Sequence, residues 1–198
     1  MYDNYVTTAT LRAGDLKYVD QNGDGKINAD DRVYLGSMDP KLTFGFHLNA
    51  AWKGIDIIAF FQGTGNVKRY MGDALGSLGN ADVKPNVLWR DSYSFKGEGA
   101  KYPNMGIPGA NYYGNGGQNS FWLQNASYVR MKDLQVGYTF PRNLIEPLGI
   151  TNCRIYYSGQ NLFTITKMIK GFDPEMPSGR GNGYPLNLVN SIGVNLTF

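Results

Sequence analysis

The sequence predicts an all-β chain, an antiparallel meander of about five strands with long connections. Three observations carry that expectation. Residues 191–198 alternate strictly, Ile192, Val194, Leu196 and Phe198 against Ser191, Gly193, Asn195 and Thr197, the period of a strand with one apolar and one polar face. The composition is rich in Gly (26 of 198 residues) and aromatics (14%) but poor in charge (18%). Similar alternating segments recur upstream, and none shows sustained helical periodicity.

In chain order, residues 41–52 place Leu42, Phe44, Phe46, Leu48, Ala50 and Trp52 on one face. Lys53-Gly54 reads as a tight hairpin turn, Gly supplying the positive φ. Residues 55–63 return with Ile55, Ile57, Ala59 and Phe61 on the apolar face. Residues 129–140 are clearest at Leu134, Val136, Tyr138 and Phe140. Val129 and Met131 run in the opposite phase, which predicts a bulge near Lys132-Asp133 or emergence from a membrane there. Residues 153–163 set Ile155, Tyr157 and Phe163 against Arg154, Tyr156, Ser158 and Gln160. Cys153 is the single cysteine, which rules out an internal disulfide; it reads as a small buried or lipid-facing thiol. The terminal segment is the fifth strand.

Transmembrane barrels combine apolar and small or polar residues in this way, because each strand faces lipid on one side and a lumen on the other. No stretch approaches the ~18 apolar residues of a membrane helix, whereas a tilted barrel strand needs only about 9–11. The connections also alternate in length. Lys53-Gly54 is short and 141–151 modest, while 65–128, 164–188 and the arm 1–40 are long. Barrels have short periplasmic turns and long extracellular loops, so the three long segments are expected outside. The spacing of Gly193, Leu196 and terminal Phe198 resembles the assembly signal that insertion machinery reads on bacterial outer-membrane barrels. Residues 1–5 lack the basic start and apolar core of a signal peptide, so an exported protein is expected to begin upstream of them.

The sharpest chemical motif spans residues 20–31. Asp20, Asn22 and Asp24 offer side-chain oxygens spaced by two, Gly25 permits a sharp turn, the Lys26 carbonyl can turn inward, and Asp31 closes at position twelve. This is the ligand pattern of an EF-hand loop, with Asp at the closing position as in dockerin modules, and it predicts a structural calcium ion pinning an extracellular loop; an acidic, Gly-rich surface turn held by its own Asx hydrogen bonds is the other reading. Among the loop aromatics, Trp89, Tyr112, Tyr113 and Trp122 are candidates for carbohydrate contact, since flat rings bury sugar faces at little entropy cost; packing within the loop is their other use. Asp91, Arg90 and Arg130 could contact polar ligands, but nothing in the sequence distinguishes them from solvated charge.

Other chemistries find little support. A net charge of +3 is too small to indicate nucleic acid. His47 is the single histidine, so no His-based triad can be assembled. Runs such as Gly63-Thr64-Gly65 do not open a helix after a strand, which weakens a dinucleotide reading. A glycosidase needs two inward carboxylates, and the strands offer almost none beyond Asp56 and Asp133. No enzyme is expected.

Several segments together resemble the C-terminal part of the SusC/RagA family of TonB-dependent outer-membrane transporters. They are Gly14-Asp15-Leu16-Lys17-Tyr18 ahead of the Asp-rich loop, Asp39-Pro40-Lys41-Leu42-Thr43-Phe44-Gly45-Phe46, and Asp56-Ile57-Ile58-Ala59-Phe60-Phe61-Gln62-Gly63. Further on lie Tyr128-Val129-Arg130-Met131-Lys132-Asp133-Leu134, Gly159-Gln160-Asn161-Leu162-Phe163, Gly171-Phe172-Asp173-Pro174-Glu175 and the terminal strand. The resemblance implies a plugged barrel of about 22 strands in outer-membrane lipid, a SusD-like surface lipoprotein as partner, and import of oligosaccharides or peptides driven by the TonB complex. This chain would then be a fragment, residues 41–198 supplying closing strands, assembly signal and loops, with the plug and TonB contact outside it. The alternative is a secreted calcium-dependent carbohydrate-binding β-sandwich, whose strand faces would be core and water.

Overall fold

The computed structural model describes residues 13–72, 87–104, 119–176, 184 and 186–198. Its contacts divide the chain into two units, one of Met1–Asp39, Lys68–Asn125 and Glu175–Tyr184, the other of Pro40–Val67, Ala126–Pro174 and Pro185–Phe198.

The second unit is a sheet of strands β1 (Leu42–Trp52), β2 (Ile55–Gly65), β5 (Tyr128–Thr139), β6 (Asn152–Thr166) and β7 (Val189–Thr197). They pair in that order, every neighbour antiparallel, so the meander expected from the sequence is present. The hairpin at Lys53-Gly54 has φ of 48° and 85°, the two positive values of a turn whose twist matches the flanking strands. Gly54 also accepts from the Thr139 backbone N–H at 2.8 Å.

Register then sorts the side chains. Trp52, Ile55, Tyr138, Ile155 and Val194 stand in one row across the sheet, and Ala50, Ile57, Val136, Tyr157 and Ile192 in the next. Leu196 lies opposite Cys153. Period two places Leu42 and Phe44 on this face as well. Towards the other end, Phe46, Phe61, Met131 and Phe163 form a row whose rings meet at 6.4 Å (Phe46 to Phe61) and 6.3 Å (Phe61 to Phe163). The phase problem in β5 resolves at the expected place. Pairing with β2 shifts between Phe60 and Phe61, and pairing with β6 between Met131 and Asp133, so Lys132 is the extra residue that returns Met131 and Val129 to the apolar face. β6 answers with its own irregularity, Asn161 at φ 53°.

No second sheet of comparable size covers this face among the described residues. Leu48 is 45% exposed, and Phe46, Trp52, Ile165 and Ile192 are exposed too. β1 has 11 residues, about 36 Å of strand and so about 28 Å of height at a ~40° tilt, against an apolar band of ~25 Å in outer-membrane barrels. The only helical segment in this unit's modest connection is short: α2 (Arg142–Ile145) continued by a 3-10 turn, Glu146–Leu148.

The first unit holds β3 (Lys68–Tyr70) paired with β4 (Leu123–Asn125), the one-turn helix α1 (Tyr93–Lys96), and 3-10 turns at Ala29–Asp31 and Val87–Asp91. Bonds between distant segments hold it together. Asn104 donates from its backbone N to Gly14 O (2.8 Å) and from Nδ2 to Ala13 O (2.6 Å), Asn119 Nδ2 donates to Tyr18 Oη (3.2 Å), and Met71 N donates to Trp122 O (3.0 Å).

Candidate functional site

The polar face of the sheet carries its own chemistry. Arg154 on β6 reaches across β5 to Asp56 on β2: Nε donates to Oδ1 at 2.9 Å and Nη2 to Oδ2 at 2.5 Å, and Nη2 also meets Gln135 Oε1 at 3.1 Å. The strand in between lets it pass because Gly137 has no Cβ; one built there would lie 2.4 Å from Arg154 Nη2. The guanidinium sits 5.0 Å from the Tyr156 ring centre, and Tyr156 in turn lies over Gly193, where a Cβ would meet its ring at 2.4 Å. Gly137 and Gly193 thus act as floors for large side chains. Gly193→Val is therefore expected to lower the melting point of the full-length protein's barrel, read as the loss of heat-resistant migration on a gel, and Tyr156→Ser added to it should restore much of the loss. If Gly193→Val alone melts normally, the contact is of no consequence.

Of the positions expected to carry an assembly signal, Gly193 and Leu196 lie within β7, while Phe198 follows it, 82% exposed. The strand's end is fastened by Thr151, whose N and Oγ1 donate to Thr197 O at 2.8 and 3.0 Å.

In the first unit, the Asp-rich loop is closed by its own amides. Asp20 Oδ1 accepts from Gly23 N (2.6 Å) and Oδ2 from Gly25 N (2.7 Å); Asn22 Oδ1 accepts from Asp24 N (2.9 Å), and Asp24 Oδ1 from Lys26 N (2.8 Å). Asp31, buried, accepts from Gln21 N (2.8 Å) and Asn28 N (2.7 Å). Those two bonds, from Asn28 first and Gln21 next, hold its carboxyl below the usual carboxylate range, because they favour the ionised form. Among the described residues no group of three or more His, Cys, Asp or Glu is placed to hold a metal; the expected calcium set also draws on the Asn22 side chain and the Lys26 carbonyl, which are not of those types.

The loop aromatics are taken up in packing. Trp122 is 1% exposed and Trp89 3%. Trp122 stacks on Tyr102 at 6.2 Å and meets Phe121 edge-on at 4.8 Å. Their rings are not offered to a ligand in this arrangement; Tyr112 and Tyr113 lie outside the described residues. Burial and the nearby Asp91 charge raise the Tyr102 phenol above its usual range. Beside this cluster a cavity of about 290 Å³ is lined by Leu16, Tyr18, Val33, Leu35, Asn119 and Phe121 among others. Arg130 corrects the reading of solvated charge. It is buried and paired with Asp173 at 2.8 Å. Its place on the polar face, beside Thr164 in register, was the available signal.

No protein-family model matches the chain. Curated relatives do. The chain is 29% identical over 210 residues to TonB-dependent receptor P26 of Formosa agariphila, covering 93% of this chain and 20% of the relative. It is 31% identical over 174 residues to TonB-dependent receptor P3 of the same organism, covering 85% and 16%. Among solved structures, the RagAB peptide transporter superposes with a TM-score of 0.64 at 26% identity, over 87% of this chain and 19% of that one. The RagAB peptide importer in its closed-closed state gives 0.59 at 26%, over 88% and 20%. The chain spans about a fifth of the length of the relatives it matches. It is thus homologous to a stretch of the TonB-dependent receptors and shares the strand fold of the SusC/RagA-type outer-membrane barrel.

Proposed function

We propose that this chain forms part of the wall and extracellular loops of a TonB-dependent importer in the bacterial outer membrane. The importer takes up oligosaccharides or peptides together with a SusD-like surface lipoprotein. The observation that carries the reading is the pair of faces: one apolar face across five strands, with no second sheet over it among the described residues, backed by a polar face with an ordered Arg154–Asp56–Gln135 cluster. A soluble protein would hide so large an apolar surface, and a barrel turns it to lipid. The RagAB relatives are described as transporting peptides, which supports a peptide as one cargo class. A secreted sandwich would bury the same face between two sheets, and the exposure of Leu48 and Phe46 counts against it.

The test uses the full-length protein in its native cells. It should fractionate with the outer membrane, co-purify with a surface lipoprotein, and its deletion should abolish growth on one peptide or oligosaccharide source. Recovery in the soluble fraction, or unchanged growth on every such source, would overturn the proposal.

A further inference from the structure

Arg130 is the charged residue most committed to the sheet's long-loop end. It is 3% exposed. Its Nη2 donates to Asp173 Oδ1 at 2.8 Å, its Nε to Thr164 Oγ1 at 2.6 Å, and its guanidinium lies 5.5 Å from the Tyr128 ring centre. Asp173 belongs to the connection that leaves β6, and its side chain is only 11% exposed. That connection doubles back on the strand it has just left. Thr166 Oγ1 donates to Ser127 O at 3.0 Å and accepts from Met168 N at 3.2 Å, Met168 is buried, and Gly171 turns the chain at φ 95°.

Stability alone does not call for an ion pair in this place. A buried pair loses hydration on both sides, and an apolar pair of similar volume holds a structure as well or better. The pair offers something different. When the turn lifts, both charges regain water, so opening recovers the desolvation that closing cost. An apolar plug would lose its burial and gain nothing. The ionic contact also accepts one geometry, set here by Thr164 and Tyr128, so the turn recloses in the same place.

We propose that Arg130 and Asp173 form a reversible latch that closes the 167–173 turn onto the ends of β5 and β6 and lets it open as a unit. This goes beyond the importer reading, since it concerns loop motion and is measured without transport.

The experiment is trypsin cleavage after Lys167 and Lys170 in the full-length protein, in isolated outer membranes, with fragments identified by mass and heat-resistant migration confirming a folded barrel. Asp173→Asn removes the negative charge opposite the buried guanidinium and should speed cleavage about tenfold or more. Thr164→Val keeps the charges paired while removing one acceptor and should speed it about threefold; it decides the matter if Asp173→Asn fails to assemble. The double variant Arg130→Met/Asp173→Leu should be cleaved more slowly than wild type, because its opening regains no hydration. Wild-type cleavage rates in the folded single variants would remove the latch. A double variant cleaved as fast as wild type would remove its reversibility and leave a plain structural contact.

Discussion

Leu48→Arg is expected to destabilise the full-length barrel by about 2–4 kcal/mol, the scale for an arginine facing lipid near the midplane, while Asn49→Arg beside it should change stability little. The pair is informative because both residues are exposed in this structure and adjacent in β1, and only their faces differ. Leu48 lies in the row Leu48, Ala59, Leu134, Gly159, on the apolar side; Asn49 pairs with Ile58 on the other. In water neither substitution would matter much, since an arginine on an open strand stays solvated. In a bilayer the first must drag a charge into hydrocarbon and the second points into a lumen. Urea unfolding of the protein reconstituted in bilayers reads the difference. Equal effects at the two positions would mean that the apolar face does not meet lipid.

Loss of Phe198 is expected to act on assembly rather than on the finished barrel. Phe198 lies beyond β7 and is 82% exposed, and the strand's last carbonyl is held instead by Thr151. Burial of its ring at the membrane interface is worth about 1.5–3 kcal/mol at most, a small part of a large barrel's stability. A recognition signal behaves differently, because without docking no folding follows. Phe198→Ala in the full-length protein should sharply lower the amount in the outer membrane, while the molecules that do insert keep nearly normal heat resistance. Normal surface levels with a weakened barrel would assign Phe198 to packing.

The two expectations rest on different kinds of legibility. The faces of the strands could be read directly, because a strand's side chains alternate by geometry and one short turn sets the register of the next strand. The bulge at Lys132 was legible for the same reason: a phase change within one strand has no other cheap remedy. Residue type alone did not decide the loops. Trp89 and Trp122 have the same rings whether they meet a sugar or each other's neighbours, and the Asp-rich loop carries the same oxygens whether they face an ion or the loop's amides.

The all-β meander, the strand phases, the Lys53-Gly54 turn and the two-faced character of the sheet are written in the order of residues along the chain, because each follows from near neighbours. The tertiary structure decided the pairings that span the chain. Arg154 finds Asp56 across 98 residues only because Gly137 leaves the path open, Arg130 finds Asp173 across 43, and Asn119 joins Tyr18 across 101. No local period encodes such contacts. They depend on which strand lies beside which and on where a missing Cβ lets a long side chain through, and those facts exist only once the backbone has folded.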